Sequence, residues 1–317
     1  MKFEKPMLAR DWIEDKVKFP CYIQPKIDGV RAINIGGKLF ARSLKQHTNN
    51  HVTKVYSIPE FEGFDGEMIL GSDPAAKDLC RLTSGAMRRE DSVDEFTWYV
   101  FDYLHPDVIH LPYKDRLAKL KLAVENLPVE LKQLVKVVTT YEIKPEAKEF
   151  LEIIDTEFLD DGYEGSIIRD PNSLYKNGRS DGKMQVWRIK RFIDSEFLIT
   201  GIIEGQHNAN EAVTNALGRT ERSTHKENMQ PNGLVGSLCG TLLADVLDPQ
   251  SGEVILKKDQ EITVSAGGFT EDERKFWFDN QDILIGQIGK FKLFPKGTKD
   301  KPRFPVIDSI RSPEDMS

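Results

Sequence analysis

The chain has 317 residues and a formal net charge of −7, with 39% hydrophobic and 30% charged residues. That balance fits a globular protein of one large or two medium domains, and it argues against a chain that coats nucleic acid over its whole surface, while allowing a local basic track. Three dispersed cysteines without a C-x-x-C pair, a polar start (MKFEKPMLARDW) and the lack of an apolar run near the roughly 20 residues of a membrane span argue against a disulfide framework, a thiolate zinc site, a signal peptide and a membrane protein, so a reducing, cytoplasmic setting is expected.

A strand-like stretch runs from Cys21 to Ser43 and turns at Gly36-Gly37. FDGEMIL (Phe64 to Leu70) and FTWYVFDYL (Phe96 to Leu104) are two more predicted strands, with AAKDLCRLTSGAMRRED between them read as helical and then irregular. YKDRLAKLKLAVENL carries Leu117, Leu120 and Ala123-Val124 at helical spacing. KPEAKEFLEIIDTEFLDDG is predicted as a further helix, with Phe150, Leu151, Ile154 and Phe158 on its buried face and Gly162 past its end. EGSIIRD and MQVWRIKRF read as strands.

The character changes after Phe192, and a boundary is expected at Arg191 to Ser195, giving domains 1–191 and 192–317. SEFLITGII and GTLLADVL are predicted strands joined by a polar segment from Glu204 to Gly236, expected to be a functional loop or disordered. GEVILKK and EITVSAG come next, then TEDERKFWFDN, whose Thr270 and Glu273 have the form of a capping box. IGQIGKFKLF and RFPVIDSIR close the chain. Five or so short strands and one helix in about 125 residues suggest a Greek-key barrel of the oligonucleotide-binding type.

The chemistry concentrates on PKIDGVR. By average residue usage, K-x-D-G arises by chance in roughly one chain of this length in fifteen, so it carries weight only with the ordered motifs downstream of it. A lysine attacks only when deprotonated, a state that burial and neighbouring cations favour. Lys26 is tethered between a strand and a turn, Gly29 permits a sharp turn or a close approach, and Arg31 can fork onto phosphate oxygens. Glu67 and Glu164 each stand beside a glycine, where a hard divalent metal or a ribose hydroxyl could approach. Phe101 could face a base, and Arg188 and Lys190 alternate along a strand and so point to one side. Taken singly these residues read blandly: Lys26 as a solvated strand-edge lysine, Phe101 as core, Asp65 as structural, Arg88-Arg89 as solvated. Asp28 admits three roles: orienting Lys26, binding a 3′ end, or supporting the turn.

Read together, KIDGVR, ARS, DGE, WYVFDYL, YEGSIIR, WRIKRF and PRFPVIDSIR resemble the covalent nucleotidyltransferase superfamily, and within it the minimal ATP-dependent DNA ligases of viruses and phages. RSTHK, GGFTEDERKFWFDN and IGKFKLFPKGTKDKPRFPV extend the resemblance, especially to an algal-virus member, over nearly the whole chain. It implies an α+β fold, with a two-sheet nucleotidyltransferase domain followed by an all-β oligonucleotide-binding barrel. It implies that Lys26 attacks the α-phosphate of ATP and carries AMP, with Asp28 beside it. Arg31 would contact the nucleotide or the nick phosphate, and Arg42 the 5′-phosphate. Glu67 would hold the ribose or a metal, Glu164 a metal (Mg²⁺), and Phe101 would stack on adenine. Arg188 and Lys190 would hold the α-phosphate, and Arg311, with Arg303 and Lys301 nearby, would orient pyrophosphate. At Arg188 the family usually carries lysine, so proton donation is expected from Lys190 instead.

The expected partner is nicked duplex DNA and the expected state a monomer. Arg42, Arg88-Arg89, Arg219, Arg222, His225 and Lys226 are candidate DNA contacts, with Lys290, Lys292, Lys296, Lys299, Lys301 and Arg303 in the tail; the tail lysines could equally form a wet strand face. By resemblance, the 204–236 segment is expected to be a latch that is disordered without DNA. The rival readings are an mRNA capping guanylyltransferase, an RNA ligase, and a nucleic-acid-binding module with a vestigial site.

Overall fold

The structure is a computed structural model, and it describes residues 3–76, 78–144, 158, 161–190, 192–214, 220–223, 225–249, 252–295 and 301–311. The chain divides into two compact units, Met1–Arg191 and Phe192–Ser317.

The first unit contains, in order, β1 (Met7–Leu8), β2 (Arg10–Asp11), β3 (Cys21–Pro25), β4 (Val30–Ile35), β5 (Lys38–Ala41), α1 (Asn50–Tyr56), β6 (Phe64–Leu70), α2 (Leu79–Arg88) and β7 (Phe96–Tyr103). They are followed by α3 (Tyr113–Glu125), α4 (Val129–Lys132), β8 (Val135–Val137), β9 (Tyr141–Ile143), β10 (Ser166–Arg169), β11 (Gly178–Arg179) and β12 (Trp187–Ile189). Two five-stranded sheets result, one in the order β2-β12-β10-β3-β9 and the other β5-β4-β6-β7-β8. The β4–β5 hairpin turns at Gly36-Gly37, both at positive φ, as its tight turn requires.

The main core lies on the second sheet. Tyr56, Phe61, Phe64 and Trp98 meet with ring centroids 5.7–6.0 Å apart, and Leu117 and Leu120 of α3 pack in the same cluster. A second cluster, with Ile23, Phe158, Ile168, Trp187 and Ile189, serves the first sheet. The helix read at KPEAKEFLEIIDTEFLDDG lies outside the described residues except for Lys144 at its start, Phe158, which is buried, and Asp161-Gly162 at its end.

The second unit contains β13 (Ile193–Asn208), β14 (Ala212–Thr214), β15 (Thr220–Arg222), β16 (Met229–Leu242), β17 (Val246–Leu247), β18 (Val254–Leu256), β19 (Glu261–Ser265), α5 (Glu271–Asp279), α6 (Gln281–Leu284), β20 (Ile288–Phe294) and β21 (Arg303–Ile310). The pairings run β13-β16-β19-β21-β20 and return to β13, so the hydrogen-bonded circuit closes. Phe197, Leu238, Val264, Phe291, Leu293 and Ile307 fill its inside, with the Phe197 and Phe291 rings edge to face at 5.5 Å. The Thr270–Glu273 capping box forms at the start of α5.

The described residues of the 204–236 segment, expected to be a functional loop or disordered, are largely paired strands. β13 continues to Asn208, β16 begins at Met229, and the two pair down to Asn208↔Met229; β14 and β15 form a small hairpin beyond. Polar side chains hold this tip. Asn210 is 5% exposed, and its Nδ2 donates to Asn208 Oδ1 (2.9 Å), Ser223 O (3.0 Å) and His225 O (2.9 Å). Asn228 Nδ2 donates to Asn210 Oδ1, and Arg222 to the Asn210 carbonyl. Backbone pairing and amide side chains leave no hydrophobic alternation to read.

Candidate active site

The K-x-D-G stretch is the crossing between the two sheets: β3 ends at Pro25 in one, β4 begins at Val30 in the other, and Lys26 to Gly29 lie between. Gly29 must pass close to β6, since a Cβ there would sit 2.5 Å from the Met68 carbonyl. The Lys26 backbone is pinned on both sides: its N–H donates to Gly165 O (2.8 Å), and its carbonyl accepts from Glu164 N–H (3.1 Å). Gly165 has φ +149, and a Cβ there would lie 2.2 Å from Ile189 O, so that closeness to β12 requires glycine.

Strand order then dictates the side chains. β10 lies between β12 and β3, so Glu164, just ahead of β10, stands between Lys190 and Lys26. Its two carboxylate oxygens take one ammonium each, Oε2 from Lys26 and Oε1 from Lys190. Burial works to raise the Glu164 carboxyl, but the two lysines outweigh it and hold it below the ordinary carboxylate range. Lys190 is held below the usual lysine range, chiefly by burial, with Lys26 and Arg188 adding to it against the pull of Glu164.

In the second sheet Arg31 and Glu67 are direct cross-strand neighbours. The Arg31 guanidinium forks onto Asp65, with one arm at 2.6 Å, and lies 4.6 Å from the Phe101 ring centroid. Asp65, read from sequence as structural, is the buried partner that aims Arg31. Glu67 is part-exposed. Burial pushes its carboxyl up to about 7; Arg31 and Lys26 oppose the rise and Asp65 and Glu164 add to it. Lys26, Glu67, Glu164 and Arg31 therefore share one field.

Arg188 and Lys190 alternate with buried Trp187 and Ile189. Arg188, however, pairs with Asp11 of β2 at 2.7 Å and is a third exposed. Asp28 is part-buried, Arg42 is exposed in the turn after β5, and Arg88 is exposed at the end of α2. In the second unit Lys290 pairs with Asp194 (3.0 Å), Lys292 with Asp308 (2.6 Å) and Arg311 with Glu196 (2.6 Å). Arg303 lies 5.2 Å over the Phe294 ring and 5.1 Å over Phe304; Lys226 and Lys301 are exposed. Arg219, Lys296 and Lys299 lie outside the described residues.

Sequence reasoning missed one group. Asp102 of β7, 1% exposed, accepts from Arg116 Nε (2.8 Å) and Nη2 (3.0 Å) and from Arg169 Nη1 (2.8 Å). The signal was present: Asp102 is an acid inside an apolar strand, and Arg116 sits on the apolar stripe of α3 with Tyr113, Leu117 and Leu120.

What the arrangement can do is limited by its donor set. Among the described residues no three His, Cys, Asp or Glu side chains gather as a metal cluster. Two carboxylates beside clustered cations suit a phosphorylated substrate that supplies its own oxygens.

A family model described as the ATP dependent DNA ligase domain matches residues 6–190. The DNA ligase of African swine fever virus (isolate Pig/Kenya/KEN-50/1950) is 26% identical over 198 residues, which is 58% of this chain and 45% of the relative, so the match spans less than half of that relative's length. The crystal structure of a Chlorella virus DNA ligase–adenylate is 28% identical with a TM-score of 0.52, covering 99% of this chain and all of that one. A Lig E DNA ligase structure, 19% identical, shares the fold at a TM-score of 0.66 over 98% of this chain and all of that one. With its residues 6–190 matched, more than half of its length, the chain belongs to the ATP-dependent DNA ligase domain family.

Proposed function

We propose that this protein seals nicks in duplex DNA at the expense of ATP, acting as a monomer inside the cell, with the second unit as an oligonucleotide-binding barrel. One observation carries the reading: an amine pinned by its backbone at the crossing of two sheets, with Glu164 joining it to a second lysine. The Lys26 Nζ would attack the α-phosphorus, lose its proton and expel pyrophosphate, leaving AMP on nitrogen. The 5′-phosphate oxygen at a nick would then displace Lys26 from that phosphorus. Finally the 3′-hydroxyl would attack the 5′-phosphorus and release AMP. Such displacements depend mainly on position and charge neutralisation.

Each residue has a part in this scheme. In the resting arrangement Lys26 is ion-paired, so Glu164 must release it before attack, retaining Lys190 as partner. Lys190 is suited to the α-phosphate and to moving a proton, because burial already lowers its hold on one. Arg188 and Asp28 border the same stretch, and Arg31 is aimed by Asp65 beside Phe101, the surface proposed for adenine. Glu67 and Glu164 would hold a hard divalent ion such as Mg²⁺, which supplies charge neutralisation at the phosphates; two carboxylates plus phosphate oxygens fit that ion. Arg42, Arg88, Arg222, Lys226, Lys290 and Lys292 are proposed DNA contacts, with Arg219 among them by resemblance and the 204–236 hairpin as the latch. Arg311 would leave Glu196 to orient pyrophosphate.

The test is incubation with α-labelled ATP or GTP and Mg²⁺, followed by a denaturing gel and a chase with nicked duplex. Label from ATP but not GTP, discharged by the nick, supports the reading. Label from GTP would favour a capping guanylyltransferase, and no label a binding module.

A further inference from the structure

The buried acid–base group that the proposed chemistry does not use lies directly behind Phe101. The β6–β7 ladder slips there: Asp65 faces Asp102 and Gly66 faces Val100, so Phe101 is the extra residue of a β-bulge. A bulge takes a residue out of register and re-aims its side chain. It also leaves a carbonyl without a ladder partner, and the Phe101 carbonyl accepts from the Tyr113 hydroxyl at 2.9 Å. The next residue, Asp102, is clamped by Arg116 from α3 and by Arg169 from β10, the latter crossing from the other sheet. The Arg169 guanidinium centre lies 4.3 Å from the Tyr113 ring centroid and 5.5 Å from that of Phe101. The backbone on either side of the ring, and the ring itself, are thus held by one connected set.

Stability alone is a poor reason for such a set. A buried carboxylate with two guanidinium groups is often no more stable than apolar side chains of the same volume. What apolar packing does not supply is direction, and a forked guanidinium–carboxylate pair fixes both partners in angle as well as distance. We propose that Asp102, Arg116, Arg169 and Tyr113 are positioning residues for Phe101, holding the bulged ring at the angle on which the purine of the nucleotide stacks. The proposal rests on the reading of Phe101 as the base platform, and it assigns Arg169 and Tyr113 a part in nucleotide affinity without contact with the reacting atoms.

The test uses the full chain and two variants, Arg169→Met and Tyr113→Phe, the second removing a single hydroxyl. Competition against labelled ATP measures the affinities of ATP and of ribose 5-triphosphate, which carries the phosphates but no base. The expected result for Arg169→Met is about a tenfold loss for ATP, within about twofold for the base-free competitor, and an adenylation rate at saturating ATP within about twofold, the size of effect expected from losing good stacking. Tyr113→Phe shifts the ATP-to-ribose-triphosphate ratio in the same direction, by about threefold. If both nucleotides weaken equally, or if neither variant changes the ratio, the positioning role is overturned. A wild-type chain that forms no adduct would instead overturn the ligase reading itself.

Discussion

Replacing Asp102 by Asn leaves the shape of the side chain and removes its charge. Arg116 and Arg169, with side chains 0% and 5% exposed, would then be two buried guanidinium groups without a counter-ion. At an effective dielectric near 20, each pair at about 4 Å between charge centres is worth about 4 kcal/mol of Coulomb energy, part of which only offsets desolvation. Breaking such a pair from one side costs about 3–5 kcal/mol, because the stranded charges remain buried. For a unit with m of about 2–3 kcal/mol/M in urea, the midpoint should fall by about 1–2 M. Trp98 lies in the core of the same unit and reports its transition by fluorescence. The exposed pair Lys275–Asp279 gives the control, since Asp279→Asn should stay within about 0.5 kcal/mol. The combination Asp102→Leu, Arg116→Met and Arg169→Met should recover most of the lost stability without recovering ATP affinity. A loss below about 1 kcal/mol for Asp102→Asn would refute the reasoning, because it would mean that the group is hydrated and holds nothing rigidly.

Other outcomes come from the same geometry. Since burial raises the Glu67 carboxyl to about 7, it carries its proton below that pH and loses it above, so nucleotide binding that needs the carboxylate should strengthen as pH rises from 6 to 8. Glu67→Gln should flatten that profile, and an unchanged profile would contradict it. The same shift has a stability sign: the folded chain holds the proton more tightly than the unfolded one, so this group's contribution falls as pH rises from about 4.5 to 7. Asn210→Ala removes the amide that joins both sides of the 204–236 hairpin, and hydrogen exchange should accelerate about tenfold or more in Asn208–Thr214 and Thr220–Asn228 while the strands of the closed circuit keep their protection. Equal exchange in the variant and the parent would mean that the tip is held by something else.

Much of this architecture was legible where one residue pattern fixed one local structure. FDGEMIL and FTWYVFDYL alternate or run apolar between polar breaks; the first is β6, and the second contains all of β7, which ends one residue earlier at Tyr103. Thr270 and Glu273 announced their helix through a reciprocal pair of local hydrogen bonds. The order of the basic and acidic motifs brought Lys26, Glu164 and Lys190 into one reading, and the strand order explains why Glu164 lies between the two lysines. What stayed hidden depended on long-range pairing. The tip of the 204–236 hairpin is tied by amides bonding across some 13 to 18 residues, which leave no periodic trace. The bulge at Phe101 depends on the register of β6 against β7, which neither strand specifies alone. From sequence Arg31 is a contact for the nucleotide or the nick phosphate, and its fork onto Asp65 needs two adjacent strands, β4 and β6, to be placed before it can be seen.

The central claim is that one amine, held at the crossing of the two sheets, forms a bond to phosphorus. Intact and peptide-level mass spectrometry after exposure to ATP and Mg²⁺ tests it most directly. A single adenylyl adduct is predicted on the peptide containing Lys26, absent from Lys26→Ala and removed by excess pyrophosphate. An adduct on any other residue, or none on a folded wild-type chain, would contradict it.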